Sequence, residues 1–128
     1  MGNSLTISVM DEQLAICRLP ADAMVPEWID VKGFYSVTRT LEELSIVCSE
    51  VCVPGDTKCE RDWRMLKVKG PLGFSLTGIL ASLVTPLAKA GISVFATSTY
   101  DTDYLLVKSD KLKKAVRILG GFCTIDMK

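Results

Sequence analysis

The sequence predicts an α+β protein of ferredoxin-like, βαββαβ order, arranged as two tandem units. Three observations lead there. Several short segments alternate apolar and polar residues with period two, as half-buried strands do. Two later segments carry apolar residues at helical spacing instead. Finally, two hairpin-like stretches correspond at an offset of sixty residues, Ser36–Val47 falling on Ala96–Val107. The units are drawn as residues 1–60, with a truncated helix, and 61–128.

Each element has its own reason. Leu5 to Val9 alternates and reads as a strand, Met10-Asp11-Glu12 as a turn, and Leu14 to Leu19 as a second strand ended by Pro20. Pro26 offers a first helical turn to Glu27-Trp28-Ile29, so a short helix is expected. Phe34 to Thr40 is aromatic and β-branched, and with Leu44 to Cys48 it forms a hairpin. Val53 to Arg61 contains Pro54-Gly55-Asp56 and reads as a linker. Trp63 to Lys69 alternates again. Leu76, Ile79, Leu80, Leu83 and Leu87 share one helical face, which Pro86 should tighten and Gly91 should cap. Ile92 to Thr99 and Asp103 to Lys108 flank a turn. A helix from Ser109 presents Leu112, Ala115, Val116 and Leu119, Gly120-Gly121 stop it, and Phe122 to Ile125 closes the series.

Composition narrows the function. The chain has 128 residues, 48% hydrophobic and 23% charged, a globular balance. Fifteen basic residues offset fifteen acidic ones. A nucleic-acid binder normally carries a basic surplus, so no nucleic-acid partner is expected. Histidine is absent, which excludes Ser-His-Asp and Cys-His nucleophiles and His-ligated metal. Cys17, Cys48, Cys52, Cys59 and Cys123 make an odd count behind a polar N-terminus, which fits reduced thiols in the cytoplasm. The C-x3-C-x6-C run has no fourth nearby ligand, and structural zinc wants four, so no metal is expected. Residues 71–88 lack charge, yet two prolines, two glycines and several hydroxyls make them a poor membrane span.

Two stretches carry candidate chemistry. The loop Gly70-Pro71-Leu72-Gly73-Phe74-Ser75-Leu76-Thr77-Gly78 joins a strand to a helix. Glycines permit close backbone approach, and free N–H groups at a helix start attract carboxylate or phosphate. It matches neither a dinucleotide fingerprint nor a P-loop, so no cofactor is expected. Its glycines serve tight packing equally well. Thr99 to Tyr104 sets Asp101 and Asp103 around a tight turn, where Asp more often caps its own backbone than acts as acid or base. No catalytic residue is assigned. Trp28 and Trp63 read as core or interface residues, and Lys108 to Arg117 as a solvated helix face.

The loop from Gly70 to Leu80, taken with Ser98-Thr99-Tyr100-Asp101-Thr102-Asp103-Tyr104-Leu105-Leu106-Val107, resembles the small bacterial tandem ACT-domain proteins. Those are similar to the ACT modules of aspartate kinase and of the CASTOR arginine sensors. The resemblance is strongest over Trp63 to Lys108. It implies two ACT-like units of ferredoxin-like fold, without catalytic activity, that bind an amino acid or similar small effector for allosteric regulation. It also implies a site: Gly73, Phe74, Ser75, Leu76 and Thr77 around the ligand carboxylate, with Thr99, Asp101 and Asp103 nearby. The first half departs from the pattern, since Pro20-Ala21-Asp22-Ala23 has no glycine. A rival reading is an ACT-type interaction module that has lost its ligand. A homodimer is expected, because Leu105-Leu106-Val107 is apolar on both faces and the helix from Ser75 to Ala88 has a charge-free back.

Overall fold

The chain begins with a 14-residue strand, β1 (Thr6–Leu19), and no turn interrupts it. The computed structural model describes residues 5–69 and 78–127. Among them follow β2 (Ser36–Arg39), β3 (Leu44–Ser49), β4 (Cys59–Val68), α1 (Ile79–Lys89), β5 (Phe95–Ser98), β6 (Asp103–Lys108), α2 (Leu112–Leu119) and β7 (Thr124–Met127). The strand runs straight through Met10-Asp11-Glu12, where a turn was expected. No glycine or proline breaks it there, and the Arg64 guanidinium donates to the Met10 carbonyl at 2.8 and 3.3 Å.

The chain divides into two units, Met1–Asp11 with Arg64–Lys128 and Glu12–Trp63. The first eleven residues thus cluster with the C-terminal part, which a contiguous break after residue 60 does not provide for.

In the larger unit, α1, β5, β6, α2 and β7 follow the end of β4 in βαββαβ order. The strand order is β7-β1-β4-β6-β5. β7 runs parallel to the start of β1, with Thr6 opposite Thr124 and Val9 opposite Met127. β1 thus lies between the strands that open and close the βαββαβ run. Ile7, Val9, Leu66, Val68, Leu105 and Val107 supply the sheet side of the core, and Leu83, Leu87, Ala115 and Leu119 the helix side. α1 continues past Pro86 to Lys89. It ends in a Schellman arrangement: Gly91 is left-handed (φ 78°), and the N–H of Ile92 reaches the Leu87 carbonyl at 3.0 Å. That cap includes Ile92, where a strand was expected to begin, and β5 starts at Phe95.

The smaller unit has β2, β3, the second part of β1 and the first part of β4. β3 is antiparallel to β1, from Leu14 opposite Ser49 to Leu19 opposite Leu44. At the strand end, the N–H of Arg18 donates to the Lys58 carbonyl at 3.0 Å. Ala15, Cys17, Leu44, Ile46 and Cys48 form its core with Ile29 and Val53. The helix expected at Pro26 does not form. Turns replace it, and the Arg39 guanidinium donates to the carbonyls of Ala21 and Ala23.

Both hairpins are present and their registers match. Ser36 faces Val47 and Arg39 faces Leu44; Phe95 faces Leu106 and Ser98 faces Asp103. Ser36 therefore corresponds to Phe95 rather than to Ala96, one position short of the expected offset. Threonine sets the correspondence. The N–H of Thr40 donates to the Glu43 carbonyl at 2.9 Å, and that of Thr99 to the Thr102 carbonyl at 2.8 Å. The Thr40 hydroxyl accepts the Glu43 N–H at 3.1 Å, and the Thr99 hydroxyl the Thr102 N–H at 3.3 Å. Each hairpin then runs into a 3-10 turn in the same correspondence, Glu50–Cys52 and Ser109–Lys111. α2 continues from the second. Pro54 and Gly55 stop the first.

Core and surface should separate cleanly under mutation. Leu66 is fully buried in β4. Leu66→Ala should cost about 2–5 kcal/mol in urea denaturation. Leu41 is 95% exposed at a hairpin tip. Leu41→Ser should leave the urea midpoint essentially where it is, since nothing buried is lost.

Candidate functional site

The candidate site is framed by three elements of the larger unit. Gly73, Phe74, Ser75, Leu76 and Thr77, the expected carboxylate loop, lie outside the described residues. Their flanks are described. On one side, β4 ends at Val68, and the N–H of Lys69 donates to the Thr6 carbonyl at 2.9 Å. The Lys69 ammonium pairs with Asp126 at 2.9 Å. On the other side Gly78 heads α1 in the left-handed conformation, φ 80°. Glycine reaches that conformation without a Cβ penalty, and it has no side chain with which to cap the helix. The first turn of α1 holds no acidic residue to oppose an anion.

The third element is the β5–β6 turn. Thr99 and Asp101 are exposed, and Asp103 is half-buried. Ser98 donates its hydroxyl to Asp103 at 2.5 Å, so that carboxylate is held along the hairpin. Asp101 stands at the exposed tip.

Thr102 is the residue that sequence reasoning missed. It is buried, and its hydroxyl donates to the carbonyl of Val68. That bond fastens the turn to the end of β4, where the strand-to-helix connection departs. The smaller unit has a counterpart. Glu43, at the same turn position, meets the Arg18 guanidinium at 3.9 Å near the end of β1, and Arg18 also donates to the Glu42 carbonyl at 3.0 Å. No local signal in the sequence marks it, since Thr102 is one of several hydroxyls in the stretch from Ser98 to Thr102.

A concavity lies in the smaller unit. It is a cavity of about 210 Å³ whose walls include Cys17, Arg18, Glu43, Ser45, Lys58 and Cys59. Two of its lining residues, Cys17 and Cys59, are cysteines. Cys17 is buried in β1, far from the others in sequence, yet its thiol interacts with those of Cys48 and Cys59. The hydrogen bond from Cys48 holds Cys17 below the ordinary thiol value, while the same contact and burial push Cys48 up. Burial likewise raises Cys59, and Cys123 in the larger unit. Among the described residues, no three Cys, Asp or Glu side chains are arranged to hold a metal ion.

Two family models match the chain. One, described as an ACT domain, covers residues 58–120; the other, described as an N-terminal domain, covers residues 12–56. Residues 58–120 belong to the ACT-domain family. The human cytosolic arginine sensor for mTORC1 subunit 1 is 41% identical over 90 residues, 70% of this chain. The ACT chain spans only 27% of that sensor's length. A crystal structure of an Agrobacterium tumefaciens protein superposes with a TM-score of 0.93 at 36% identity, covering 99% of this chain and 96% of that one. The regulatory subunit of aspartate kinase from Thermus thermophilus shares the fold, with a TM-score of 0.60 at 9% identity over 91% of this chain and 95% of that one. The chain is thus similar in sequence to an arginine sensor and shares its fold with an aspartate kinase regulatory subunit. Among its described residues, no helix is long and apolar enough to cross a membrane.

Thr102→Val keeps the shape of the side chain and removes the donor. It should cost about 1–3 kcal/mol, because the Val68 carbonyl loses its partner. Thr102→Ser should recover most of that loss, as read by urea denaturation.

Proposed function

We propose that this ACT protein is a non-catalytic regulatory module that binds an amino acid or a similar small effector. Residues Gly73, Phe74, Ser75, Leu76 and Thr77 hold the ligand carboxylate through backbone N–H groups, as the head of a helix favours. The β5–β6 turn supplies the other pole. Asp103 already accepts from Ser98, so Asp101 meets the ammonium, with Thr99 beside it. The observation that carries this reading is the bond from the Thr102 hydroxyl to Val68, which keeps a carboxylate-bearing turn next to the end of β4. Kinship with an arginine sensor supports the same ligand class. The cytoplasm is the matching compartment, since all five cysteines are free thiols.

A thermal-shift series with the twenty amino acids tests the reading on the full chain. A ligand at 100 times its Kd should stabilise the fold by about 2.7 kcal/mol. Gly73→Val should abolish the shift while the circular dichroism spectrum is retained. Asp101→Asn should weaken binding about tenfold, or 1.4 kcal/mol. A flat response to all twenty overturns the proposal in favour of an interaction module.

We also propose a homodimer through α1. Ala81, Ser82, Thr85 and Ala88 are exposed and uncharged along its back. The sheet does not require a second copy, because Leu105, Leu106 and Val107 are all fully buried in the single chain. Light scattering at micromolar concentration should give about twice 14.0 kDa, and Ala81→Glu should halve it. A wild-type mass of 14.0 kDa throughout removes the dimer.

A further inference from the structure

Four of the five cysteines lie together in the smaller unit, in the order Cys52, Cys48, Cys17, Cys59. The proposed function uses none of them. The sulfurs of Cys48 and Cys52 are 3.9 Å apart, in van der Waals contact. Cys48 lies in the buried run that ends β3, and Cys52 closes the 3-10 turn that follows. Their exposures differ in a useful way: Cys48 is fully buried and Cys52 is half-exposed. The Cys52 sulfur is also oriented, donating to the Ser49 carbonyl at 3.0 Å.

We propose that Cys48 and Cys52 form a reversible oxidation site, in which Cys52 is attacked by a peroxide and Cys48 resolves the product as an intrachain disulfide. The chemistry balances in two steps. First, the Cys52 thiolate attacks one peroxide oxygen. The O–O bond breaks, Cys52 becomes a sulfenic acid, and the other oxygen leaves as hydroxide and is protonated to water. Second, the Cys48 sulfur attacks the Cys52 sulfur. The S–O bond breaks, and the Cys48 proton leaves with the hydroxyl as a second water. Two thiols have lost two electrons, and the peroxide has gained them. An external thiol reverses the change by exchange. A disulfide bond is shorter than this contact, so the two sulfurs must close about half of their present separation. Rotation about the two Cα–Cβ bonds supplies a movement of that size, at the cost of the Cys52–Ser49 contact.

The roles follow from access and contact. Peroxide reaches the half-exposed sulfur first. Cys48, fully buried but in contact with the Cys52 sulfur, is out of reach of peroxide and close enough to resolve the sulfenic acid. Cys123, buried with no other cysteine among its described core neighbours, is the internal control.

Tryptic mapping decides the assignment. Cleavage after Arg39 and Lys58 leaves Cys48 and Cys52 on one peptide, residues 40–58, while Cys17, Cys59 and Cys123 fall on others. The reduced full-length protein is exposed to hydrogen peroxide, blocked with N-ethylmaleimide and digested without reductant. The expected product is the 40–58 peptide, lighter by two hydrogens and carrying no maleimide. It should appear about tenfold sooner than any loss of Cys123 labelling. Dithiothreitol should restore both maleimide adducts. In Cys48→Ser, Cys52 should accumulate as a sulfenic acid trapped by dimedone. A disulfide joining Cys17 to Cys48 or Cys59 overturns the assignment, as does a 40–58 peptide that stays fully labelled while Cys123 is oxidised.

Discussion

Between Thr6 and Val9 the first strand has no free edge. β7 pairs with it on one side, and β4 lies on the other. Ile7, Ser8 and Val9 are buried in succession, so both faces are covered as well. A strand enclosed in this way must satisfy every backbone group through its neighbours. The rest of the larger unit depends on it. β7 exists as a strand because β1 offers it a parallel partner, and α2 lies between β6 and β7 as the crossover. Lys69 is anchored to Thr6 at the point where the 70–78 connection begins. A strand at the start of the chain therefore fixes the root of a loop that lies far along the sequence.

This dependence explains which parts of the fold were legible. α1, α2 and the two hairpins show local periodicity, and their residues alone identify them. The Schellman cap at Gly91 was legible for the same reason. The insertion of β1 was not, because pairing between residues 6–9 and 124–127 leaves no local trace. The polar run Met10-Asp11-Glu12 resembled a turn only while the Arg64 bond to Met10 was unseen. Pro26 resembled a helix start, but Arg39 offers the nearby carbonyls of Ala21 and Ala23 a partner outside any helix. At the site, Asp101 was legible as an exposed turn residue. Thr102 was not, because a buried hydroxyl and an exposed one look alike in a sequence.

The repeat shows how much variation one turn tolerates. Thr40-Leu41-Glu42-Glu43 and Thr99-Tyr100-Asp101-Thr102 share only threonine at the first position, yet the bonds between their first and fourth residues correspond. The threonine hydroxyl replaces a backbone acceptor at the tight corner, so the two middle positions are released from structural duty. The fourth position then diverges in purpose. Glu43 reaches Arg18 by charge in partly exposed surroundings, a contact of little energetic value. Thr102 reaches Val68 by a neutral bond in a buried setting, where losing it is costly. The larger unit thus holds its turn more firmly.

Sulfur follows the opposite division. Cys17, Cys48, Cys52 and Cys59 belong to the smaller unit, and only Cys123 to the larger. Cys17 and Cys48 lie diagonally on one face of the β1–β3 pair, since Ala15 faces Cys48 and Cys17 faces Ile46. Small apolar side chains are needed on that face, and alanine or valine would pack there as well. Packing therefore accounts for residue size at these positions but not for the element. The same holds for Cys52, which packs at the edge of that core from its 3-10 turn. Without histidine anywhere in the chain, sulfur is the side-chain chemistry here best able to change state near neutral pH. The Thr99–Asp103 turn itself carries hydroxyls and carboxylates but no sulfur.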